Sequence, residues 1–200
     1  MLILTTLQND VLCEMFNIGV GQSAAALGAM LDDEVLLSVP EIRFVTVSEV
    51  AEYLGNKNAS MYCIREPFNG AFSGHALLVF SEERSLDLVR ALVRDIVSGA
   101  ELERIQRDAL MEVGNVVLNA CISSLAEMIG SPFECGLPTI DVGDTRRILG
   151  VRVQNHIVML IHICFELKEQ NLEGFVVFVM NSTSYDKLIR AIDSFISRIS

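Results

Sequence analysis

The chain has 200 residues, of which 51% are hydrophobic and 20% charged, with a formal net charge of -11. That length suits one domain, or two small fused ones, and the apolar content excludes a chain too polar to build a core. The acidity, with no Lys/Arg cluster beyond the pair Arg146–Arg147, excludes a nucleic-acid binder.

The first residues, "MLILTTLQND", carry no basic region and reach Asp10 early, so they do not read as a secretory signal. No apolar run reads as a membrane span, and no membrane insertion is expected. A helix is expected over about 6–31, from "TLQNDVLCEMFNIGVGQSAAALGAML". A β-branched stretch follows, "EVLLSVPEIRFVTV", with Pro40 inside it, which predicts an edge strand or a bulge. A connector ends in Leu54–Gly55. Two apolar strands are then expected at about 59–67 and 71–80, joined through the turn residues of "FNGAFSG". A closing helix spans about 84–98.

From there the chain repeats itself. "DALMEVGNVVLNACISSLAEMI" from Asp108 matches "DVLCEMFNIGVGQSAAALGAML" from Asp10. Asp10/Asp108, Glu14/Glu112, Asn17/Asn115, Leu27/Leu125, Met30/Met128 and Pro40/Pro138 keep one offset. "GFVVFVMNSTSYDKLIRAI" from Gly174 matches "GHALLVFSEERSLDLVRAL" from Gly74, with the offset grown slightly. The second half therefore predicts a helix over about 101–129 and a proline-bearing strand in "FECGLPTIDVGD". A connector ending in Leu149–Gly150, strands at about 155–167 and 173–181 joined through "KEQNLEG", and a helix over about 182–199 complete it. The fold class is α+β: two α-β-β-β-α repeats, about 6–98 and 101–199, in a single domain. They are related by a pseudo-twofold axis and share one mainly antiparallel sheet packed against helices. Three strands alone would leave a raw edge.

Five cysteines, odd in number and never spaced C-x-x-C, read as reduced thiols of a cytoplasmic protein. His162 and Cys164 share one face of a strand, but no second ligand pair accompanies them, so packing is the reading there and no metal site is expected.

The first helix carries the informative pattern. At about 100° per residue, Asp10, Glu14, Asn17 and Gly21 fall in a stripe about 60° wide. The core candidates Leu7, Val11, Leu12, Met15 and Ile18 lie elsewhere on the circumference. Asp10 and Glu14 are like charges four apart, and Gly19 and Gly21 each cost a helix roughly 1 kcal/mol against alanine. A helix that admits another protein closely has reason to accept this, since glycine removes bulk where a backbone approaches. The bland alternative is an ordinary solvated face. Against it, the second helix carries Asp108, Glu112 and Asn115 at the same spacing, again with a proline 23 positions after the asparagine. Four fixed identities recur by chance roughly once in 10⁵. Duplication explains a common start, but not why exposed polar positions stayed alike while apolar ones drifted, as Phe16 against Gly114.

The pattern D/S-x3-E-x2-N-x22-P, present twice, resembles the CheC-type chemotaxis phosphatases, a group that includes CheX and the phosphatase part of FliY. The likeness covers nearly the whole chain and is strongest to the CheC branch. CheX-like chains are shorter with one active motif, and no residues remain for the extra C-terminal domain of a FliY-like protein. The resemblance implies a pseudo-symmetric CheC-like fold and hydrolysis of the aspartyl-phosphate of a CheY-type response regulator. It implies Glu14 with Asn17, and Glu112 with Asn115, as active pairs: each asparagine orients the attacking water and each glutamate docks the regulator's lysine. Asp10, Asp108 and Gly21 are assigned docking or support, and Pro40 and Pro138 a structural role. No cofactor of its own is implied, because the regulator brings the divalent metal, Mg being the expected one. The partners implied are the phosphorylated regulator and the receptor deamidase CheD. A non-catalytic adaptor that docks a receiver domain or CheD through the same helices stays open, as does a plain dimerisation domain. In the second helix "NVVLN" replaces "NIGVG", with Val117 and Asn119 where glycines stood.

Overall fold

The computed structural model describes residues 4–31, 34–54, 60–92, 100–149, 156–167 and 170–199. Its elements run in chain order as α1 (Thr6–Leu31), β1 (Val35–Thr46), α2 (Val47–Tyr53), β2 (Met61–Asn69), β3 (Ser73–Ser81) and α3 (Glu82–Leu92). The second half adds α4 (Ala100–Ile129), β4 (Glu134–Cys135), β5 (Thr139–Gly143), α5 (Thr145–Leu149), β6 (Ile157–Leu167), β7 (Gln170–Met180) and α6 (Ser182–Ile199). The expected elements are therefore present in the expected order, except that the second proline-bearing strand is split into β4 and β5, with Pro138 between them. Each connector also folds into a short helix, α2 or α5. The end of the first closing helix, 93–98, and both connector glycines, 55 and 150, lie outside the described residues. The expected second loop is mostly strand: Asn171, Leu172, Glu173 and Gly174 pair with β6.

One antiparallel sheet of seven strands holds the fold together, in the order β1-β6-β7-β3-β2, with β4 and β5 one after the other along the outer edge of β2, β4 on Phe68–Asn69 and β5 on Met61–Arg65. The halves interleave in it. The edge strand β1 of the first half pairs with β6 of the second, and β5 of the second pairs with β2 of the first. Exchanging equivalent strands of the two halves returns the same order read from the other edge, the arrangement that a twofold relation requires.

The central strands read as apolar runs because they are covered on both faces. Ala76, Leu78 and Phe80 of β3, with Val176, Phe178 and Met180 of β7, point into the large core beneath α1, α3, α4 and α6. Their alternates Leu77, Val79, Val177 and Val179 join a smaller core on the other face, closed by Val50 of α2 and Ile148 of α5. Period-two alternation sorts the side chains.

Two expectations need correction. On α1 the buried line is Leu12, Phe16, Val20, Ala24 and Leu27, whereas Leu7 and Ile18, expected in the core, are 55% and 47% exposed. The buried stripe follows steps of four and three residues, narrower than the apolar pattern suggested. In addition, α4 from Arg104 to Ile129 has the length and apolar content of a membrane span, which was not expected. Half of its most apolar window is buried inside the protein, as for a core helix.

Candidate active site

The proline in β1 sets up the first site. The β1–β6 register shifts between Ser38 and Glu41, so Val39 and Pro40 have no strand partner. Pro40 has no N–H to give, and a bulge is where a strand tolerates it. Val39, only 3% exposed, is left with a backbone N–H and C=O that the ladder does not satisfy. Asn17 of α1 supplies both partners. Its Oδ1 accepts from the Val39 N–H at 2.8 Å, and its Nδ2 donates to the Val39 carbonyl at 3.3 Å. The asparagine and the proline of the motif are thus parts of one local device, a bulge and the amide that clamps it.

Around this clamp the surface is acidic. Glu14 and Asp10 are exposed on the same helix, and Glu41 is exposed on β1, ion-paired with Arg43. Arg43 in turn reaches the Tyr53 hydroxyl at 3.0 Å. Cys13 registers the charge: burial first, then Asp10 and Glu41, push its thiol up, and a backbone hydrogen bond at Ile42 opposes them. Among the described residues, Glu14 makes no ion pair or hydrogen bond.

The second site is built differently. The strand equivalent to β1 is broken at Pro138 into β4 and β5. Leu137, the counterpart of the clamped Val39, is 88% exposed. Asn115 makes no bond to that strand. Its Oδ1 instead accepts from Nδ2 of Asn119 at 2.9 Å, and the same nitrogen donates to the Asn115 carbonyl at 2.8 Å. Glu112 and Asp108 are exposed, as in the first repeat, and both asparagines are half-buried. The guanidinium of Arg107, beside Asp108, approaches the Ile140 carbonyl of β5 at 3.5 Å.

The two glycines of the first helix separate in role. A Cβ on Gly19 would lie 1.9 Å from Oγ of Ser124 and 3.0 Å from the carbonyl of Ala120, both on α4. The backbone that Gly19 admits is therefore α4 of the same chain, not an external partner. A Cβ on Gly21 would meet nothing within 4 Å, so that position is open. Gly114 has a third reason: it lets α4 settle on Ile64, whose Cγ2 would lie 2.5 Å from an added Cβ. That explains its mismatch with the bulky Phe16. His162 and Cys164 are half-buried; His162 stacks on Phe175 at 5.2 Å with Glu173 at 3.8 Å. Among the described residues no group of three or more His, Cys, Asp or Glu is placed to hold a metal ion.

No family model matches the chain. It is 21% identical over 196 residues to the CheY-P phosphatase CheC of Bacillus subtilis (strain 168), covering 92% of this chain and 93% of that protein. The likeness to the CheC, CheX and FliY group is borne out. The flagellar motor switch phosphatase FliY of the same organism is 22% identical over 167 residues, covering 82% of this chain but only 43% of that protein. The crystal structure of Thermotoga maritima FliY shares the CheC-like fold, with a TM-score of 0.76 over 97% of this chain and all of that one, at 16% identity. Asn119 escaped the sequence reading as a site residue. The one available signal was its place where the first repeat has Gly21.

Proposed function

We propose that this chain is a protein phosphatase that hydrolyses the aspartyl-phosphate of a CheY-type response regulator in chemotaxis signalling. The observation that carries the reading is the exposed Glu14 beside a clamped Asn17, repeated as Glu112 beside a differently held Asn115. An amide whose orientation is fixed can present its carbonyl oxygen to one water. Oδ1 has two lone pairs, and the Val39 N–H takes only one. The water held by the other lone pair can be placed in line with the phosphorus, the part that a glutamine plays in GTPases. Orientation of this kind is a large share of what a labile acyl phosphate needs. Glu14 and Glu112 pair with the regulator's lysine and dock the helix. Asp10, Asp108 and the open surface at Gly21 support that docking.

The regulator supplies the phosphoryl group and the divalent metal, so the phosphatase carries no cofactor. The likeness to a protein named CheY-P phosphatase along 92% of this chain supports the activity. The same reading places the protein in the cytoplasm, where response regulators work, and takes CheD as a further partner, to be tested by co-purification with a CheD protein of the same genome. The deciding measurement is the decay of a phosphorylated receiver domain with and without this protein. Faster decay at substoichiometric protein is expected. Binding without faster decay would replace the phosphatase by an adaptor.

A further inference from the structure

The second asparagine is held by another side chain, and that side chain has no counterpart in the first repeat. The two hydrogens of the Asn119 amide suffice for its two bonds to Asn115, one to the carbonyl oxygen at 2.8 Å and one to Oδ1 at 2.9 Å. The first bond ties Asn119 to the helix backbone one turn back. The second passes that constraint to the Asn115 side chain. In the first repeat Gly21 offers no side chain, and the Val39 backbone does the holding. In the second repeat the strand is broken at Pro138, Leu137 is 88% exposed, and no backbone group reaches the asparagine.

We propose that Asn119 is a positioning residue of the second site, fixing the Asn115 amide so that the remaining lone pair of Oδ1 is presented to the attacking water. This rests on the phosphatase reading above. Asn119 acts through Asn115 and touches neither water nor regulator. Both of its donor hydrogens are spent within the helix, so its amide N–H groups are committed to holding Asn115.

The test uses the full chain carrying Asn17→Ala, in which only the second site can position water, kept well below its melting temperature. In that background Asn119→Asp keeps the shape but has no hydrogen to donate, and Asn119→Ala removes the side chain while favouring the helix. Decay of a phosphorylated receiver domain is followed across receiver concentrations. Both variants should lose kcat by roughly tenfold to a hundredfold, the scale of misplacing a reacting group by about 1 Å, with KM and melting temperature unchanged. Full kcat in either variant overturns the proposal. So does a raised KM with kcat intact, which would make Asn119 a docking contact, or a loss that follows a collapse in melting temperature. An Asn17→Ala parent that is inactive while Asn115→Ala protein is active shows that the second site does not act, and also overturns it. If the wild type itself fails to accelerate decay, the phosphatase reading falls and this inference with it.

Discussion

Asn17 on α1 holds the backbone of Val39 on β1 through two hydrogen bonds, of 2.8 and 3.3 Å. The sequence alone suggested an exposed polar position on a docking stripe. The structure makes it a strand clamp. Asn17→Ala should therefore lower unfolding stability by about 1–3 kcal/mol, the cost of leaving a shielded backbone N–H without its acceptor. Asn115→Ala releases only a partner on its own helix, so it should stay within about 0.5 kcal/mol of wild type. Urea melts of the two variants check the difference. Equal stabilities would mean that the clamp does not form in solution.

The glycines of "NIGVG" should respond in opposite directions. Gly19→Ala puts a methyl group 3.0 Å from the Ala120 carbonyl and 1.9 Å from Ser124 Oγ. The hydroxyl can swing away but the carbonyl cannot, so α1 and α4 must separate slightly, at a cost of about 1–3 kcal/mol. Gly21→Ala meets open space. It should raise stability by up to about 1 kcal/mol through helix propensity. Thermal melts distinguish the two. If Gly21 lies in the docking surface, the same variant should weaken association with a phosphorylated receiver while being the more stable protein.

The repeat, the helix and strand order and the edge character of the proline strands were legible because duplication shows each polar position twice and proline reports its own missing donor. The first helix shows the limits. Its periodicity located a polar stripe, but Leu7 and Ile18 looked as apolar as Leu12 and Phe16, and only the placement of the sheet and α4 decides which turn of the helix is covered. Gly19 was read as room for a partner. Sequence reveals that bulk is absent, not which backbone uses the space. The Asn17–Val39 clamp was hidden for a similar reason. The spacing of asparagine and proline was visible, but the register shift that strands Val39 without a ladder partner is a property of β1 against β6.

Glu66 of β2 gives the fold a pH dependence of identifiable sign. It is 1% exposed and its Oε2 has no hydrogen-bond partner. Burial raises its pKa above the ordinary 4.5, and a hydrogen bond with Cys135 opposes the shift. The folded state therefore binds the Glu66 proton more tightly than the unfolded chain does. Its contribution to stability is present in full below the unfolded pKa and is lost as pH rises through the raised folded value. Glu66→Gln keeps the shape without the charge. It should be more stable than wild type at neutral pH, with the gap closing as pH falls towards 4.5. Melting curves in a pH series check this. A constant gap would show that another group sets the dependence.

Catalysis and docking separate at the asparagine and the glutamate. On the proposed mechanism, Asn17→Ala and Asn115→Ala each remove one water-holding amide while leaving the carboxylate that pairs with the regulator's lysine. Each single variant should retain activity from the other site, because the two pairs lie on different helices and act independently. The double variant should leave the phosphorylated receiver to decay at its intrinsic rate, yet still bind it. The destabilisation expected for Asn17→Ala makes the comparison valid only below the melting point of the double variant, which circular dichroism locates. Glu14→Ala and Glu112→Ala should act on the other parameter, raising KM by a factor that shrinks as salt screens the charge pair. Receiver decay measured against receiver concentration, at low and high ionic strength, reads both effects in one series. Wild-type acceleration by the folded double variant would remove water positioning from the mechanism and leave these helices as a docking surface alone.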